Sequence, residues 1–153
     1  MGAVQALSEE DRRRADELAE AIADGQLEVW WQPQVEIDTG RVVGAEALLR
    51  WERPGEAPVA PNHFIPLAER SGLIHQLGAH ALLEACRQAT RWPVLSSGTR
   101  RSVSVNVSAQ QLTDPELPQM VRDALEETGL HPRALCLELT ETALMEDAHR
   151  LLT

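Results

Sequence analysis

Gly44-Ala45-Glu46-Ala47-Leu48-Leu49-Arg50-Trp51 is the stretch whose reading decides the fold, because two classes of residue alternate along it. Counting in twos puts Gly44, Glu46, Leu48 and Arg50 on one face and Ala45, Ala47, Leu49 and Trp51, with Val43 before them, on the other. Two later runs repeat the pattern. Ser102, Ser104, Asn106 and Ser108 alternate with Val103, Val105 and Val107, and Cys136, Glu138 and Thr140 alternate with Leu135, Leu137 and Leu139. If the apolar faces lie under helices, the polar faces share an interior, and Glu46, Asn106 and Glu138 meet near the C-terminal strand ends, where α/β barrels place their sites. Alternation taken alone also describes a sheet with one solvated face, and by itself favours that simpler description.

Outward from these strands the order of elements narrows the fold class. Ser8 followed by Glu9, Glu10 and Asp11 reads as an N-cap with an acidic first turn, and Gly25 ends the helix it opens. A strand over 29–37, the short connector Asp38-Thr39-Gly40 and a second strand over 41–51 form a hairpin, so these two strands are antiparallel. The segment 52–66, rich in Pro and Gly, reads as a loop, and 73–92 reads as a helix with Leu77, Ala81, Ala85 and Ala89 on one face. A third strand spans 101–108. The next helix opens with Asp114 as cap and Pro115 at its first position and closes at Gly129, and a fourth strand spans 135–141. From the third strand onward, strand and helix alternate as in parallel α/β folds.

Composition excludes several classes. The 153 residues are 43% hydrophobic and 25% charged, as in a globular domain rather than a disordered or membrane chain. No apolar run approaches a membrane span, and the first ten residues lack the basic flank and apolar core of a secretory signal, so a cytoplasmic location is expected. A net charge of −10 does not suit a grip on the phosphates of a nucleic-acid duplex. It does not exclude a small phosphorylated ligand, because a cation held by carboxylates reverses the field locally. Cys86 and Cys136 fit neither a zinc pattern nor a disulfide framework and are read as buried free thiols. Glu46, Glu138 and the amide oxygen of Asn106 are hard donors suited to Mg²⁺ or Mn²⁺, whereas zinc favours His or Cys.

The stretch Gly44 to Trp51 also resembles the one that names the EAL domain family, bacterial phosphodiesterases that hydrolyse cyclic-di-GMP. Gln32-Pro33, Phe64-Ile65-Pro66-Leu67-Ala68-Glu69 with Gly72-Leu73-Ile74, Val105-Asn106-Val107-Ser108 and Leu137-Glu138-Leu139-Thr140-Glu141 resemble the family in order and spacing. The resemblance implies that Glu46, Asn106 and Glu138 are metal ligands for Mg²⁺ or Mn²⁺, that Gln32 and Arg50 contact cyclic-di-GMP, and that Glu141 positions a loop over the metals. For Arg50 the physical case is a planar fork that pairs two phosphate oxygens; a salt bridge to a local acid is the alternative. Trp31 stands where the family usually has Tyr, which moves the polar atom of that side chain. Trp30, Trp51 and Trp92 read as packing residues.

The expected fold is thus a partial TIM-type β/α barrel with an antiparallel first strand. Residues 1–25 form a helix leading into the domain, and 26–153 form the N-terminal part of an EAL domain. The family's Asp-Asp-Phe-Gly loop, a following Lys and later Glu and Gln residues have no counterpart among these residues, and a complete barrel runs to roughly 250 residues. The expectations that follow are negligible turnover by these 153 residues alone and self-association through open barrel edges. The alternatives are a catalytically dead module that binds the nucleotide or a protein, and a piece that serves only in assembly.

Overall fold

The computed structural model describes residues 7–139. In chain order the elements are α1 (Glu9–Ala23), β1 (Leu27–Val35), β2 (Val42–Trp51), α2 (Pro61–Ser71), α3 (Ile74–Ala89), β3 (Ser102–Val107), α4 (Ala109–Leu112), α5 (Leu117–Thr128), a 3₁₀ turn (Pro132–Ala134) and β4 (Leu135–Leu139). The four strands form one sheet in the order β1-β2-β3-β4, with β2–β3 and β3–β4 parallel. β1 turns into β2 through a tight connection in which Gly40 N–H donates to Glu36 C=O at 2.8 Å and Glu36 N–H donates to Arg41 C=O at 2.9 Å. Gly40 completes this turn at φ +67°, a backbone region that side chains bearing Cβ rarely enter. So short a link between neighbouring strands makes them antiparallel, as the sequence predicts. Among the described residues no helix is long and apolar enough to cross a membrane.

By its internal contacts the chain divides into two compact units, Met1–Glu28 with Leu49–Leu77, and Val29–Leu48 with Gly78–Thr153. The first has its own apolar core: Leu18 and Ala21 from α1, Leu27, Trp51, Phe64 and Ala68 from α2, Ile74 and Leu77. Ser8 caps α1 as predicted, its Oγ accepting from Asp11 N–H at 3.0 Å. Trp51 is buried as a packing residue, its ring edge-on to Phe64 with centroids 6.2 Å apart. Helix α2 corrects the sequence reading, which treats 52–66 as loop. Pro61 stands at the start of the helix, where a missing N–H costs nothing, and Pro66 lies inside it and forfeits one internal bond. Burial of Phe64, Leu67 and Ala68 along one side offsets that loss. Gly72 caps the helix in the left-handed region, which separates α2 from α3.

In the second unit Val103, Val105 and Val107 are buried, as the apolar phase of β3 requires. On β4 the same phase stays more open, with Leu137 at 38% and Leu139 at 40% exposure. Gly44 is fixed by space. A Cβ there would meet the carbonyl oxygen of Ser102, its partner in the β2–β3 register, at 2.4 Å. Gly78 on α3 likewise makes room for the side chain of Gln111. Gln111 is buried and closes a capping box with Ser108 at the start of α4. The helix that the sequence opens at Asp114 begins slightly later: Asp114 Oδ1 accepts from Glu116 N–H at 2.9 Å, Glu116 is the cap, and Gly129 ends α5 as predicted. Trp31 and Trp92 meet edge to face at 5.1 Å.

The cysteines differ from each other. Cys86 is buried on α3 as expected, and burial pushes its thiol up from 9.0 to about 11, whereas Cys136 is exposed on β4, against expectation. β4 turns Cys136 to the polar face, which is less covered than its spacing suggested. A raised thiol pKa favours the protonated folded form, so this contribution is complete below pH 9.0 and is lost as pH climbs toward about 11. At about pH 8 a maleimide is expected to modify Cys136 alone in the folded chain, with Cys86 reacting only after denaturation. Equal labelling rates for the two thiols would contradict the packing of α3.

Candidate functional site

The site residues inherit their direction from the strands that carry them. Glu46 pairs in register with Ser104 on β3, Ser104 with Cys136 on β4, and Asn106 with Glu138. Residues paired across a ladder, and those two apart along it, project from the same face. Glu46, Ser104, Asn106, Cys136 and Glu138 therefore share one side of the sheet, opposite the buried valines. Asn106 and Glu138 stand near the C-terminal ends of short strands, as expected. Glu46 lies in mid-strand because β2 continues to Trp51, so Asn106 reaches it diagonally.

That diagonal closes into a hydrogen bond: Asn106 Nδ2 donates to Glu46 Oε1 at 2.6 Å. Glu138 is approached from β1. Gln34 Nε2 donates to Glu138 Oε1 at 3.3 Å and to Ser104 Oγ at 3.2 Å. Glu46 and Glu138 are half-buried and Asn106 is exposed, so the cluster is open to solvent and solutes while its base, Ser104, is closed. Gln34 is the member that sequence reasoning missed. Its signal was the same counting in twos, since Gln34 follows Gln32 in phase on β1, but Pro33 and the two tryptophans obscure the alternation there.

Of the other residues singled out, Gln32 is exposed on β1. Arg50 lies on β2 within the other compact unit and donates from Nη1 to its neighbour's carbonyl, Leu49 O, at 2.8 Å. Glu141 lies outside the described residues. Among those described, no group of three or more His, Cys, Asp or Glu side chains is placed to hold a metal. The donor set is instead two carboxylates and an amide, and this chemistry fits a hard divalent cation that completes its shell with water. Asn106 turns its N–H to Glu46 here; a half-turn of the amide exchanges donor for acceptor and presents Oδ1 on that side.

Comparison with known proteins identifies the family. The sequence profile of the EAL domain matches residues 15–153. An uncharacterized signaling protein of Caulobacter vibrioides is 42% identical over 143 residues, covering 94% of this chain and 17% of its own length. The bifunctional diguanylate cyclase/cyclic di-GMP phosphodiesterase MucR of Pseudomonas aeruginosa is 40% identical over 146 residues, covering 95% of this chain and 21% of its own. The chain thus spans about a fifth of the length of these relatives. In solved structures, the PaMucR phosphodiesterase in its c-di-GMP complex superposes with a TM-score of 0.79 at 41% identity, covering 90% of this chain and 56% of that one. The mixed α/β sheet with parallel β2, β3 and β4 accordingly matches the barrel-like fold of EAL structures. On the profile match and these identities, the chain belongs to the EAL domain family.

Proposed function

We propose that this chain is part of a cyclic-di-GMP phosphodiesterase domain, in which Glu46, Asn106 and Glu138 hold Mg²⁺ or Mn²⁺ and Gln32 and Arg50 contact the dinucleotide. The observation that carries the proposal is the gathering of two carboxylates and an amide on one face of adjacent strands, with Asn106 bonded to Glu46 at 2.6 Å and in register with Glu138. Glu46 and Glu138 are half-buried on one open polar face, and each accepts an amide hydrogen bond on Oε1, which leaves Oε2 available to a cation. A divalent cation held by Glu46, Asn106 and Glu138 would supply Lewis-acid polarisation of a phosphoryl oxygen and activation of water. The chain's own residues orient and bind. Arg50 offers a planar fork to two phosphate oxygens, Gln32 offers an amide to the nucleotide, and Glu141 steadies a loop near the metal. The same reading assigns the chain to a bacterial cytoplasm, where free thiols such as Cys86 and Cys136 are ordinary.

Calorimetric titration of cyclic-di-GMP into the chain with Mg²⁺ or Mn²⁺ tests the nucleotide half. Arg50→Ala is expected to weaken binding by about ten-fold or more, the scale of a charge-assisted hydrogen bond, and Arg50→Lys to recover little because a point charge lacks the fork. Binding that is absent, or that Arg50→Ala leaves unchanged, would remove Arg50 from the proposal.

A further inference from the structure

We propose that Gln34 is a positioning residue for Glu138, setting the orientation of that carboxylate for a divalent cation; the inference rests on the metal reading above. The amide nitrogen of Gln34 has two hydrogens, and two acceptors stand before it, Glu138 Oε1 at 3.3 Å and Ser104 Oγ at 3.2 Å. A carboxylate only accepts, so the arrangement fixes which end of the amide faces the sheet. Ser104 is just 3% exposed and sits on the central strand of the cluster, so the second bond ties Gln34 to a buried polar group at the base of that face.

With Oε1 engaged, Oε2 is the oxygen that Glu138 offers to a cation. A neutral donor suits this task. Lys or Arg at position 34 would neutralise the charge the cation needs, and an apolar residue would leave the carboxylate free to rotate. Glu46 is held in the same manner by Asn106, with the difference that Asn106 is itself a proposed ligand and Gln34 acts through Glu138. Partners that orient a metal ligand from behind are worth about 10–100-fold in metal affinity.

The test is Mn²⁺ titration of the chain followed by electron paramagnetic resonance, with thermal unfolding of each variant as a control. Gln34→Met, which keeps length and removes both donors, is expected to weaken Mn²⁺ binding by about 10–100-fold without moving the unfolding midpoint. Ser104→Ala is expected to weaken it less, in the same direction. In the metal-free chain the side-chain amide resonance of Gln34 is expected to shift on Glu138→Gln. If Glu46→Ala loses Mn²⁺ while Gln34→Met binds it normally, the positioning role is overturned and the metal reading stands. If the unmodified chain and Glu46→Ala behave alike toward Mn²⁺, the metal reading falls and this inference with it. Should Gln34→Met not fold, a Gln34 resonance indifferent to Glu138→Gln overturns the contact itself.

Discussion

Replacing Glu46 with alanine is expected to weaken Mn²⁺ binding by about 100-fold or more, beyond the 10–100-fold that loss of a mere orienting partner costs. The substitution removes a negatively charged ligand outright. It also takes the acceptor from Asn106 Nδ2, so the amide loses the 2.6 Å bond that holds it toward the cluster. Glu46→Gln separates the two effects: it keeps shape and an acceptor oxygen while removing the charge, and should fall between the alanine variant and the unmodified chain. Neither should unfold the protein, since Glu46 is half-buried on an open polar face. Titration calorimetry with Mn²⁺, alongside circular dichroism, reads both quantities. An alanine variant that binds Mn²⁺ as tightly as the parent sinks the metal assignment.

Phe64→Ala is expected to be the most damaging single change to stability, at about 3–5 kcal/mol for a fully buried aromatic side chain. Phe64 is 1% exposed and stands edge-on to Trp51 within the cluster that also takes Leu18, Ala68 and Leu77. A cavity there removes the contacts that hold α2 despite Pro66 and the absence of any side-chain cap at Ala60. Against a typical net stability of about 5–15 kcal/mol, such a loss is a large fraction of the whole. Urea unfolding would measure it, and amide exchange would show protection lost first in α1 and α2. A loss below about 1 kcal/mol would mean that this cluster is not the core of its unit.

What the sequence made legible follows from where local rules and burial agree. Ser8 with its acidic turn and Gly129 at a helix end are local chemistry, and both stand where they were read. The polar phase of β3 was also legible, because Val103, Val105 and Val107 face a packed layer, and its register with β2 and β4 sets Glu46, Asn106 and Glu138 on a common face. Helix α2 was not, since Pro66 inside it is a strong local signal against a helix that only the burial of Phe64, Leu67 and Ala68 overrides. The start of α5 slipped by two residues because Asp114 bonds to the backbone in either arrangement. Gln34 escaped because its role is defined by partners on two other strands, and no local pattern encodes them.

Those partners are distant along the chain, so the cluster rests on long-range contacts. Glu46 and Asn106 are 60 residues apart, and Gln34 and Glu138 are 104 apart, whereas the turn at Gly40 joins β1 to β2 almost at once. A hairpin closes in about 1–10 μs, while each doubling of the loop to be closed adds only about 0.6 kcal/mol but delays any reward until both strands are in place. The β1–β2 turn is a local contact, whereas pairing β2 with β3 and β3 with β4 closes long stretches of chain. The polar face that carries Glu46, Asn106 and Glu138 therefore depends on long-range strand pairing, which the hairpin alone does not supply.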